Sequence, residues 1–100
     1  MVKEAYCSYE LTKLMVNKGF DPDLVKGTKI THQMAMAWLR EVHKLFIEIS
    51  TNIDLNGKYH FGYTILDKEC NYVRRRYTYS NWNYDDAVET ALKYCFEKLI

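Results

Sequence analysis

The chain has 100 residues, 48% of them apolar and 27% charged, the composition of one globular domain rather than of a disordered segment. Its net charge is +1, and acidic and basic residues mix along both halves, which argues against wholesale electrostatic capture by nucleic acid or anionic lipid. The cysteines Cys7, Cys70 and Cys95 are odd in number and never spaced C-x-x-C, so neither a disulfide framework nor a zinc knuckle is expected, and a reducing compartment is.

The opening residues have no apolar leader run, and no window approaches the ~20 apolar residues of a membrane span. The expectation is a single cytoplasmic domain over residues 1–100. From Lys3 to Lys18 the residues Cys7, Leu11, Leu14, Met15 and Lys18 recur at helical spacing and predict a first helix. Gly19 can take the left-handed position after its end, Phe20 can fold back on Leu14 or Met15, and Pro22 blocks continuation. Asp21 to Ile30 reads as a surface connection.

Thr31 offers an N-cap hydroxyl to a second helix running to about Glu41, with Met34, Ala35, Trp38, Leu39 and Val42 inward and Arg40, Glu41 and His43 outward. At Leu45 the period becomes 2. Leu45, Ile47 and Ile49 alternate with Phe46, Glu48 and Ser50 as a strand with one buried face. Asn56-Gly57 signals a turn, after which Tyr59, Phe61, Tyr63 and Ile65 alternate with His60, Gly62 and Thr64 in a second antiparallel strand. A third run, Tyr72 to Tyr79, places Val73, Arg75, Tyr77 and Tyr79 on one face and Tyr72, Arg74, Arg76 and Thr78 on the other. Arg75 interrupts an otherwise apolar face. Asn83 and Asp86 resemble a capping box for a last helix, Tyr84 to Leu99, that buries Val88, Ala91, Leu92, Cys95 and Leu99. The fold expected is α+β: helix, helix, three-stranded antiparallel meander, helix, with the helices packed on one face of the sheet.

The stretches YELTKLMVNKGFDPD, ITHQMAMAWLREVHKLFIEI and YDDAVETALKYCFEKLI, in that order and spacing, resemble a family of uncharacterised small proteins carried by bacteriophages and mobile elements of gut anaerobes. The resemblance covers nearly the whole chain and is most specific at MAMAWLREVH and YDDAVETAL. It implies an origin and no mechanism. Met15 and Val16 stand where charged residues are usual in that family. The order helix, three strands, helix is also that of double-stranded RNA-binding domains, but their closing helix begins with a basic cluster, and here it begins with Asp85 and Asp86, the wrong sign for phosphate.

Candidate chemistry is sparse. His32, His43, His60 and Cys70 are ligand types for zinc, yet no two have ligand spacing, so no metal site is expected. Cys7 and Cys95 lie on apolar stripes and read as core fillers, while Cys70, in a polar loop, is the thiol open to reagents. Paired acids such as Asp85 with Asp86 and Asp67 with Glu69 are explained by a helix cap and a loop. No phosphate loop, nucleophile elbow or zinc-protease motif is present, so no catalytic residue is assigned and an enzyme is not expected.

Two surfaces remain. The sheet face opposite the helices should carry Phe46, Glu48, His60, Gly62, Thr64, Arg74, Arg76 and Thr78, and Phe46, Glu48, His60, Thr64, Arg74 and Arg76 form the candidate surface for a protein partner or self-association. In YVRRRYTYSNWNY arginines interleave with tyrosines, so Arg74, Arg75, Arg76, Tyr77 and Tyr79 could bind phosphates and stack on bases. The leading expectation is a small non-enzymatic binding or regulatory protein of phage or mobile-element origin. The alternative is a nucleic-acid-binding protein using the third strand.

Overall fold

The computed structural model describes residues 5–20, 30–76 and 83–100, with the backbone alone at Arg75 and Arg76. It is an α+β fold in the expected order: α1 (Tyr9–Asn17), α2 (His32–Trp38), β1 (Phe46–Ile53), β2 (Tyr59–Leu66), β3 (Tyr72–Arg76) and α3 (Tyr84–Tyr94). The strands lie in the order β1-β2-β3 with both pairs antiparallel. α3 rests on β1 and β2, and α1 and α2 pack against α3.

Side chains next to each helix start and stop decide where it begins and ends. The Ser8 hydroxyl accepts from the Leu11 N–H, so α1 begins at Tyr9 and not at Lys3, which lies outside the described residues. Cys7 therefore precedes the helix instead of lying on its stripe; its N–H donates to the Ile30 carbonyl, beside the bridge between Tyr6 and Thr31. At the other end Gly19 has φ +103°, the Phe20 N–H donates to the Met15 carbonyl and the Gly19 N–H to that of Val16, the two bonds of a Schellman stop. Thr31 caps α2 through the Met34 N–H, and Asn83 and Asp86 form the reciprocal capping box of α3.

The two hairpins are joined by the same device. Asp54 pairs with Lys58 through its backbone, the Gly57 N–H closes a turn on the Asp54 carbonyl, and the Asp54 carboxylate accepts from the N–H groups of Asn56 and Lys58. Asp67 repeats each of these bonds with Asn71, Cys70 and Glu69. In both turns the fourth residue is left-handed, φ +79° at Gly57 and +63° at Cys70. A side chain held in that region costs roughly 1–2 kcal/mol, partly offset by the greater entropy a glycine loses on folding. Cys70→Gly is accordingly expected to stabilise the protein by roughly 0.5–1 kcal/mol, read as a higher urea midpoint at unchanged slope. Gly57→Ala, whose new Cβ would meet no atom within 4 Å, should lose about 1 kcal/mol from backbone strain alone. A lower midpoint for Cys70→Gly would show that the thiol contributes more than its conformation costs.

Two departures from strict periodicity reshape the core. α2 and α3 each end in one π turn, Leu39–His43 and Cys95–Leu99. A wider i→i+5 turn brings residues five apart onto one face. Consequently the His43 ring meets Trp38 at 4.8 Å, whereas Val42, expected inward, is exposed, as is Met34. On α3 Phe96, four residues after Leu92 and eight after Val88, is buried although it was not among the residues expected inward, and Leu99 is half-buried. Phe96 stacks on Trp38 at 5.7 Å, and Trp38 meets the edge of Phe20 at 5.5 Å. Around this aromatic group the buried cluster gathers Leu11 and Met15 from α1, Leu39, Leu45, Tyr63 and Ile65 from β2, and Val88, Leu92 and Cys95. Met15 is a core residue and Val16 a surface one.

Candidate functional site

The sheet positions most of the candidate residues, and its register decides which of them meet. β1 and β2 pair Ile47 with Ile65 and Ile49 with Tyr63 on the face under α3, and Glu48 with Thr64 and Asn52 with His60 on the other. Between β2 and β3 the register breaks: Leu66 pairs with Tyr72, but Ile65 pairs with Arg74, so Val73 is an extra residue. One inserted residue exchanges the faces of everything after it.

The exchange corrects the sequence reading of the third strand. Arg74 belongs to the helix side, in the row of Ile47 and Ile65, and Arg75 pairs with Thr64 in the row of Glu48. The arginine that interrupted an apolar face is thus moved off it. Arg76 pairs with Tyr63 and so leaves the open face too. The Arg74 Nε donates to the Tyr63 hydroxyl at 3.3 Å and its guanidinium lies 4.3 Å from the centre of the Tyr94 ring. The Tyr63 hydrogen bond first, and the charge interaction with Tyr63 and Tyr94 after it, hold its protonated form beyond the usual arginine range. Tyr77, Thr78 and Tyr79 lie outside the described residues.

On the open side the expected surface is shallower than its composition suggested. Glu48 is exposed and Phe46 half-buried, but His60, Gly62 and Thr64 are buried. The central strand offers a partner little of itself. His60 is engaged locally: its Nε2 lies 2.8 Å from Asp54 Oδ2, and that bond, followed by the Lys58 N–H, keeps the Asp54 carboxyl below its ordinary range. In the second turn the N–H of Asn71 acts on Asp67 in the same direction.

What sequence reading missed lies at the edge and tip of the first hairpin. β1 is an edge strand of eight residues, FIEISTNI, whose only charge is Glu48. Because Asp54 and Lys58 form a hydrogen-bonded pair, the even positions of β1 bond to β2, and the N–H and C=O groups of Ile47, Ile49, Thr51 and Ile53 point away from the sheet. No strand among the described residues pairs with them. The edge carries no proline, lysine or bulge, the usual guards against strand addition. Beside it Ile53, Leu55 and Tyr59 are exposed, Leu55 completely. The signal was available: an apolar residue between the Asp and Asn of a tight turn has nowhere to be buried.

A second constellation ties the helices together. Glu89 on α3 accepts from the Ser8 hydroxyl in a short bond, from the Ser8 N–H at 3.2 Å and, at 2.9 Å, contacts His32 Nε2; Lys93 lies 3.9 Å away. Burial pushes the Glu89 carboxyl up, but the bonds from Ser8 and His32 together outweigh it and hold it below its ordinary value. Serine, histidine and a carboxylate are the parts of a hydrolytic triad, yet here the carboxylate stands between the other two, so the imidazole does not touch the hydroxyl. The hydroxyl also caps α1. Burial, with Glu89 adding to it, pushes the Cys7 thiol up to about 12, and burial alone does the same to Cys95. Neither supplies thiolate at neutral pH.

A 340 Å³ groove between α1 and α3 is lined by Glu10, Lys13, Leu14, Asn17, Lys93 and Glu97. Lys93 there is 3.5 Å from Glu10, so its charge is shared with two carboxylates. Among the described residues no three His, Cys, Asp or Glu side chains gather to hold a metal, and no helix is long and apolar enough to cross a membrane. Compared with known proteins, the chain matches no family model, no curated protein and no solved structure.

Proposed function

We propose that the chain is a small non-enzymatic binding or regulatory module, of the phage or mobile-element kind its sequence resembles, working in the cytoplasm through the outer edge of β1 and the hairpin tip beside it. The observation that carries this reading is the unguarded edge: four residues direct backbone donors and acceptors outward, next to a fully exposed leucine. Strand addition at such an edge gains affinity from main-chain bonds and selectivity from alternate side chains. The nucleic-acid alternative is weakened by Arg74, whose guanidinium is already engaged by Tyr63 and Tyr94.

Two measurements separate them. Capture of binding partners on the tagged chain should survive nuclease and be lost with Thr51→Pro, which removes an outward N–H while leaving the bonds to β2. Binding of single-stranded RNA or DNA at low salt should be absent. A salt-dependent gel shift abolished by Arg74→Ala with Arg76→Ala would replace the interaction reading with the nucleic-acid one.

A further inference from the structure

We propose that the edge of β1 takes a second copy of this chain, antiparallel across a two-fold axis at Ile49, so that two sheets join into one of six strands. This rests on the reading of β1 as the binding edge and names its occupant.

Symmetry and chemistry narrow the pairing. A two-fold axis perpendicular to the sheet keeps each face on its own side, so paired residues must have the same parity. The outward N–H and C=O groups are those of odd residues, so the hydrogen-bonded pairs must be odd with odd. Three centres satisfy both conditions near the middle of the strand: Glu48, Ile49 and Ser50. A centre at Glu48 sets the strand's only charge against its own copy in the close, non-hydrogen-bonded position, which is repulsive. A centre at Ser50 overlaps Ile47 to Ile53, an equal length, but sets the unpartnered Ser50 hydroxyl against its own copy and the Glu48 carboxylate opposite Asn52.

A centre at Ile49 overlaps Phe46 to Asn52 in full. It pairs Ile49 with itself and Ile47 with Thr51 in hydrogen-bonded positions, engaging the outward groups of three of the four odd residues of β1. It also answers a local deficit. The Ser50 hydroxyl is buried without a hydrogen-bond partner, while the neighbouring Glu48 carboxylate is exposed. In this register Ser50 of one chain stands opposite Glu48 of the second copy in a close pair, where a rotation about χ1 lets the hydroxyl donate to the carboxylate, twice by symmetry.

The purified chain should sediment at twice its own mass, and Thr51→Pro should sediment as a monomer with unchanged circular dichroism and a urea midpoint that, unlike the native chain's, does not rise with protein concentration. Register is read by oxidation in a Cys70→Gly background, which removes the exposed native thiol. A mixture of the Glu48→Cys and Ser50→Cys chains should form a disulfide between unlike chains, and neither variant alone should cross-link. A monomer at every soluble concentration, a dimer that survives Thr51→Pro, or cross-linking of Ser50→Cys with itself would each overturn the proposal. If the chain is monomeric yet Thr51→Pro still abolishes capture of a different partner, the dimer fails and the edge reading stands; if Thr51→Pro changes neither, the edge reading fails.

Discussion

Replacing Phe96 with alanine is expected to cost roughly 3–5 kcal/mol, the largest loss of any single truncation considered for this protein. Phe96 is wholly buried, its ring stacks on Trp38 at 5.7 Å, and Trp38 in turn meets Phe20 and His43. Truncation therefore removes one large apolar side chain from close packing and leaves Trp38, which is only half-buried, without the ring beneath it. Domains of this size hold only about 5–15 kcal/mol in total, so the variant should show a large fall in urea midpoint and thermal midpoint. Leu99→Ala is the control. Leu99, at the end of the π turn over Cys95–Leu99, is only half-buried and should lose less than Phe96. Equal losses at the two positions would show that Leu99 is packed as fully as Phe96.

Glu89→Ala should cost roughly 2–3 kcal/mol, an allowance that discounts the carboxylate's partial contact with solvent. The substitution strands the Ser8 N–H and hydroxyl and the His32 Nε2 at once, and His32 already has a buried Nδ1 without a partner. Glu89→Gln keeps the shape and one acceptor, and should lose about half as much. The pH dependence has a definite sign. A carboxyl whose folded value lies below its ordinary 4.5 contributes in full above that value, and the contribution is lost as pH falls through the lower folded value. The gap in urea midpoint between the native chain and Glu89→Gln should thus be constant near neutrality and close in acid. A gap unchanged to the lowest pH at which the protein is folded would show that Glu89 acts through packing rather than charge.

These two positions mark where the sequence was legible and where it was not. Local chemistry was readable. Gly19 before Phe20, Thr31 before α2, Asn83 with Asp86 and Asn56-Gly57 all produced the ends and turns their residue types imply, because each depends on neighbours within five positions. One-residue irregularities were not. The bulge at Val73 and the π turns change the period without a distinctive residue, so face assignments beyond them inverted at Arg74 and failed at Val42. Cys70 in the place of a glycine conceals that its turn copies the first one. Of the candidate surface, Glu48 stands where composition put it, whereas His60 and Thr64 are buried because they belong to the middle strand of three. Contacts such as Ser8 with Glu89 join residues 81 apart and leave no periodic trace.

The turns at Asp54 and Asp67 and the contact at Glu89 also differ in when they can form. Each turn closes a loop of three residues with bonds supplied by its own aspartate, while Ser8 and Glu89 must close a loop of 81. On logarithmic loop-closure scaling the longer closure is dearer by roughly 3 kcal/mol of chain entropy. The meander can therefore assemble early from local pairings, and the tie between the first and last helices belongs to the native side of the folding barrier. In kinetic terms the Glu89 constellation acts as a latch: its loss should be felt in the rate at which the protein opens, with the rate at which it closes little changed.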